Sequence, residues 1–190
     1  EKIILSYKNN FKVSTARFAN VAFSNGSLLN GFINRLNKRQ PLSCPNDVKR
    51  FFVSPKESGQ ICLLASIIGD SGDIFFPKFN FETDQIYFKD IAIEFLNFVG
   101  LDPEIMISEN DARNYKFDNR ESKKYPIYFF KTNTSGEKLY EEFYTDDEHF
   151  SLLKYDALGV INNFEFEFDV KNLKNKLEHL FKNNELVKID

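Results

Sequence analysis

Residues 17–29 read RFANVAFSNGSLL, and the change of period inside this stretch decides how the chain is to be folded. Residues 12–22 (KVSTARFANVA) are rich in β-favouring types and alternate imperfectly, the pattern of a buried strand. Ser24, Asn25 and Gly26 then make a turn. Leu28, Leu29, Phe32, Ile33 and Leu36 recur at i, i+1, i+4, i+5 and i+8, which predicts an amphipathic helix closed by Lys38 and Arg39. A strand, a short polar turn and a helix in succession form a unit from which α/β folds are built.

Working outward, residues 1–10 (EKIILSYKNN) carry Ile3, Ile4 and Tyr7 at helical spacing with no Ser, Thr, Asp or Asn cap ahead of them. The first residue is Glu1 and the single methionine is Met106, so the sequence is expected to open inside a helix that starts earlier. Residues 41–45 (PLSCP) predict a short strand or extended segment, because Pro at both ends blocks a helix. Residues 50–54 form another short apolar run. Pro55 suits the first turn of a helix to Ile68 that carries Ile61, Leu64 and Ala65. Residues 73–79 (DIFFPKF) predict a strand, and residues 88–99 a helix with Ile91, Ala92, Phe95, Leu96 and Val99 on one face and Gly100 at its end. Residues 104–107 predict a strand, Ser108 with Asp111 a capping box, and residues 125–131 (YPIYFFK) a strand that Pro126 pushes toward a sheet edge. In the tail, residues 164–169 (FEFEFD) alternate strictly, while Val170, Leu173, Leu177, Leu180 and Phe181 form a helical stripe expected to pack on the body. Strands alternating with helices indicate an α/β fold.

Composition narrows the function. With 42% hydrophobic residues in 190, the chain can bury a core. A net charge of −3 with scattered Lys and Arg offers no field for phosphate backbones, so nucleic acid is not an expected partner. Apolar runs are broken by charge well short of the roughly 20 residues that cross a bilayer, so no membrane partner is expected. Cys44 and Cys62 lack metal-ligand spacing and sit among apolar residues, which predicts buried free thiols in a reducing compartment, the cytoplasm. The 22 Phe and absent Trp reflect genome composition more than function.

Few residues have the types or spacing for chemistry. His149 and His179 have no partner at ligand spacing, so no metal site is expected. Asp146, Asp147 and Glu148 precede Phe150, Leu152 and Leu153 and are expected to sit at a helix N-terminus, where the dipole favours carboxylates. No GxGxxG, GxxxxGK[ST] or GxSxG pattern is present. Ser24, Asn25, Gly26 and Ser27 precede a helix, where backbone N–H groups either receive an anion or simply end an ordinary polar turn. Arg50 is either a bidentate diphosphate clamp or half of a surface ion pair. Glu137 either accepts from ribose hydroxyls or is a helix-start carboxylate.

Four blocks in order, RFANVAFSNGSLLNGF, NDVKRFFVSPKESGQICLLA, DIFFPKF and SGEKLYEEF, resemble the polysaccharide-biosynthesis branch of the extended short-chain dehydrogenase/reductases. Their form is most similar to that of inverting UDP-N-acetylglucosamine 4,6-dehydratases, from residue 1 to about residue 144. The Gly-rich dinucleotide site and the Tyr-x-x-x-Lys or Met-x-x-x-Lys catalytic motif of that family are expected upstream of Glu1, so no catalytic residue is assigned here. The resemblance implies the C-terminal portion of a Rossmann-type enzyme with its smaller substrate-binding domain. Residues 1–40 would end the Rossmann-type domain and open the nucleotide-sugar pocket. Residues 41–144 would hold the remaining sheet elements and the substrate-binding domain, and residues 145–190 a C-terminal extension.

The same resemblance implies site roles. Phe18, Ala19 and Val21 would lie beside a nicotinamide cofactor, NADP or NAD, held mainly by the upstream half. Asn20 and Ser27 would contact the sugar nucleotide, Arg50 its diphosphate, and Glu137 its ribose. Relatives carry Arg-Pro-Gly-Glu-Lys where this chain has Thr134, Ser135, Gly136, Glu137 and Lys138, so a second phosphate-binding Arg is missing at Thr134. The implied reaction oxidises a UDP-sugar at C4, eliminates water across C5 and C6, and returns the hydride to C6, as a step in surface polysaccharide or lipopolysaccharide synthesis. The intact enzyme is expected to be a homo-oligomer, and the chain alone to lack turnover. A related UDP-sugar epimerase or reductase, or a non-catalytic binding or interaction module, are the alternatives.

Overall fold

The computed structural model describes residues 1–117, 123–133, 141–162 and 169–183. From the amino end come α1 (Lys2–Leu5), β1 (Thr15–Ala16), β2 (Asn20–Val21) and α2 (Leu28–Asn37). β3 (Leu42–Pro45), β4 (Lys49–Arg50), β5 (Phe52–Val53) and α3 (Pro55–Ile68) follow. Next are β6 (Ile74–Pro77), β7 (Ile86–Tyr87), α4 (Phe88–Phe98), β8 (Asp102–Met106) and α5 (Glu109–Arg113). β9 (Lys124–Phe130), β10 (Phe150–Ser151), β11 (Leu158–Ile161) and α6 (Val170–Asn183) complete the order. The fold is mixed α/β with mixed sheets. Among the described residues no helix is long and apolar enough to cross a membrane.

The chain divides into two compact units that interleave in sequence. The first takes residues 1–18, 59–78 and 143–190. Its four-stranded sheet has the order β1-β6-β11-β10, with β1 parallel to β6 and the other pairs antiparallel. Ile61 and Ala65 of α3 pack with Phe75, Leu158 and Val160 of this sheet. The second unit takes residues 19–58 and 79–142. Its parallel three-stranded sheet has the order β3-β9-β8. Leu29 and Phe32 of α2 and Ala92 and Leu96 of α4 close on Leu42, Cys44, Tyr125 and Ile127. Two small pairs complete the unit, parallel β2-β5 and antiparallel β4-β7.

Local chemistry explains the helix ends. At α3, Ser54 Oγ accepts from Glu57 N (3.2 Å) while Glu57 Oε2 accepts from Ser54 N (2.6 Å), a reciprocal box around Pro55. Ser108 Oγ accepts from Asp111 N (3.1 Å) at the start of α5, where the sequence predicts a cap. Gly100 follows α4 at φ +79°, a left-handed stop.

Several expectations are corrected. Residues 12–22 are two short strands rather than one: β1 joins β6 and β2 joins β5. The expected helix over residues 1–10 is the single turn α1, with Ile3 and Ile4 exposed. β9 is central, not an edge, despite Pro126; its pairing with β3 begins only at Ile127, so Pro126 lies outside that ladder. Cys44 is buried, but Cys62 is exposed on α3. Residues 146–148 precede strand β10 rather than a helix, because Glu148 is drawn into an ion pair described below. Leu173, Leu177 and Leu180 of the α6 stripe are only half-buried, and Phe181 is 80% exposed. The alternating run at residues 164–168 lies outside the described residues.

Candidate functional site

A cleft of about 490 Å³ opens in the second unit, lined by Asn20, Val21, residues 24–29, Arg50, Phe52 and Phe88. Four elements build it. β2 lies against β5, with Asn20 N donating to Phe51 O (3.2 Å) and Ala22 N to Val53 O (2.9 Å). The chain then folds back, Ser24 N donating to Val21 O (3.2 Å) and Ser27 N to Ser24 O (3.0 Å), and Gly26 takes φ +79°, a left-handed conformation that suits glycine. Phe23, just before this turn, is also left-handed at φ +59°, an uncommon state for a bulky side chain that the sequence does not signal.

Ser27 caps α2. Its Oγ accepts from Asn30 N (3.2 Å), and its hydroxyl hydrogen remains a donor for the cleft. The ten-residue α2 has no acidic side chain in its first turn, so the partial positive charge of its N-terminus faces the cleft undiminished. Phe88, the first residue of α4, meets Phe52 edge to face with centroids 6.0 Å apart and gives the cleft an apolar wall.

Arg50 enters from β4, which pairs with β7 at Arg50↔Ile86. Its side chain is 11% exposed; Nη1 donates to Lys49 O (2.8 Å) and Nε faces Glu141 Oε1 at 3.7 Å. Glu141 Oε2 in turn accepts from Phe51 N (3.3 Å). Burial pushes the Glu141 pKa up, opposed by the Phe51 N–H and by the Arg50 charge. A cleft with one guanidinium, a helix N-terminus, two hydroxyls and two carboxamides is chemically suited to an anionic, hydroxyl-rich ligand.

The expected site residues fall as follows. Asn20, Val21, Ser27 and Arg50 share the cleft wall. Ala19 is buried at 5%, and Phe18, in the first unit, is 41% exposed. Glu137 and Thr134 lie outside the described residues. Sequence reasoning missed Phe52, Phe88 and Glu141. The last follows Glu137 by four positions in the same block. Among the described residues, no three His, Cys, Asp or Glu side chains gather as a metal site.

Arg17, which opens the decisive stretch, is committed elsewhere. In the first unit its Nη1 donates to Glu148 Oε2 (2.8 Å) and Phe143 O (2.7 Å), its Nη2 to Glu148 Oε1 (2.7 Å), and Glu1 approaches from the exposed side. These bonds, the one to Glu148 first, raise the Arg17 pKa further and pull that of Glu148 down.

A protein described as an uncharacterized membrane protein of Methanocaldococcus jannaschii is 27% identical over 179 residues, covering 92% of this chain and 47% of that protein. The solved structure of Pen from Bacillus thuringiensis aligns with a TM-score of 0.60 at 20% identity, covering 98% of this chain and 56% of Pen. At that identity the likeness shows the fold alone. The chain spans about half the length of both relatives. Residues 1–163 match the family described as polysaccharide biosynthesis protein.

Proposed function

This chain belongs to the polysaccharide biosynthesis protein family, and from that premise we propose that it forms the sugar-nucleotide-binding part of a UDP-N-acetylglucosamine 4,6-dehydratase. In this reading it is the C-terminal portion of a Rossmann-type extended short-chain dehydrogenase/reductase. The observation that carries the proposal is the convergence of Asn20, Ser27 and Arg50 on one cleft from separate elements. Arg50 grips the diphosphate, as a guanidinium fork does two oxygens at once. The Ser27 hydroxyl and the first N–H groups of α2 serve a phosphate oxygen, the Asn20 amide reaches the sugar nucleotide, and Phe52 with Phe88 excludes water from one side. Glu137 is assigned to the ribose.

A nicotinamide cofactor, NADP or NAD, supplies hydride acceptance and return when bound. Phe18, Ala19 and Val21 are the residues the family resemblance assigns to it; the exposed Phe18 ring suits apolar contact, and buried Ala19 offers backbone alone. This chain's own part is to hold the sugar nucleotide.

Arg50→Ala tests the reading. Loss of one charge-assisted bidentate contact costs about 1.5–3 kcal/mol, roughly ten- to a hundredfold in affinity. Titrating UDP-N-acetylglucosamine and NADP separately against the intact protein should show the first weakened by that factor and the second nearly unchanged. Unaltered UDP-sugar affinity would remove the diphosphate from this cleft. Mass spectrometry should find the UDP-sugar product lighter by one water; a product of unchanged mass points to an epimerase instead.

A further inference from the structure

Arg50 does not reach the cleft as a free arm. Its side chain is mostly buried, and its guanidinium is tethered at Nη1 by Lys49 O (2.8 Å) and at Nε by the Glu141 carboxylate (3.7 Å). The carboxylate is itself anchored to the backbone, since its other oxygen accepts from Phe51 N (3.3 Å), the residue that follows Arg50. Glu141 is far from Arg50 in sequence and does not line the cleft. A long cationic side chain held from two sides loses less rotamer freedom when an anion arrives, which is how a second tier of contacts sharpens a binding site.

We propose that Glu141 is a positioning residue that holds the Arg50 guanidinium against the cleft wall for an incoming diphosphate, an inference that rests on the reading of the cleft as a sugar-nucleotide site. Glu141 touches no ligand; its effect passes through Arg50. Glu141→Gln keeps an oxygen for the Phe51 N–H and removes the charge from the Nε side, so it isolates the ion pair from the backbone anchor.

The experiment is a double-mutant cycle read by UDP binding to the intact protein, using wild type, Glu141→Gln, Arg50→Ala and the double variant. Glu141→Gln should weaken UDP by about three- to tenfold in an otherwise wild-type background. In the Arg50→Ala background it should have no further effect, because the group it positions is gone. A purely structural Glu141 gives a different pattern, weakening the double variant beyond Arg50→Ala alone. That result, or wild-type affinity in Glu141→Gln, overturns the inference and leaves the role of Arg50 standing. A wild-type protein that does not bind UDP, or an Arg50→Ala variant that binds it normally, overturns the reading of the cleft and the inference with it.

Discussion

The Cys44 thiol lies in the core of the parallel sheet, where burial pushes its pKa up to about 12. A thiol so far from ionisation has almost no nucleophilic thiolate at neutral pH. Cys62 is exposed on α3. A thiol reagent should therefore modify Cys62 alone in the folded protein and both cysteines in denaturant; rapid labelling of both in the native state would show that the core around Cys44 opens. The sequence makes both cysteines look alike, because each sits among apolar neighbours and only the third dimension distinguishes the buried from the outward face.

At the level of elements, the helices were the legible part. Periodicity and capping residues place α2, α3 and α4 within a residue or so, since those signals lie within a few positions of one another. The strand over residues 12–22 misled for the converse reason: its alternation cannot reveal that Thr15 will pair with Ile74 and Asn20 with Phe52. Of the residues that line the cleft, Ser27 and Arg50 are candidates from their residue type and place in the sequence, Asn20 only through resemblance. Glu141 escapes notice because its partner Arg50 lies far away in sequence. The antiparallel pairing of β11 with β6 carries a sharp test. Gly159 sits opposite Phe76, and a methyl group there would lie 2.3 Å from the ring, which Phe143, Tyr144 and Phe150 hem in. Gly159→Ala should destabilise by about 1–3 kcal/mol. Gly59→Ala, in α3 with nothing within 4 Å of the added atom, should stabilise by about 0.5–1 kcal/mol. Thermal melts of the two variants should move in opposite directions; a neutral Gly159→Ala would mean that the ring yields.

At the scale of the whole molecule, two of the described glutamates are shifted in opposite senses and make opposite contributions to acid stability. Glu148 is held below its ordinary value of 4.5 by Arg17, so its contribution is complete above 4.5 and is lost as pH falls through the lower folded value. Glu141 is raised by burial, so its contribution is complete below 4.5 and is lost as pH rises through the higher folded value. Urea titrations across the acid range should show Glu148→Gln less stable than wild type at neutral pH, with the gap narrowing as acid is added; a gap independent of pH would show that the ion pair is not what the substitution removed. The interleaving of the two units has a consequence for synthesis. All of the second unit lies ahead of β10 and β11, so it can finish folding on the ribosome while the sheet of the first unit still lacks half its strands. During that interval Ile74, Phe75 and Phe76 wait without their antiparallel partner, and it is there that a chaperone would find its hold on the nascent chain.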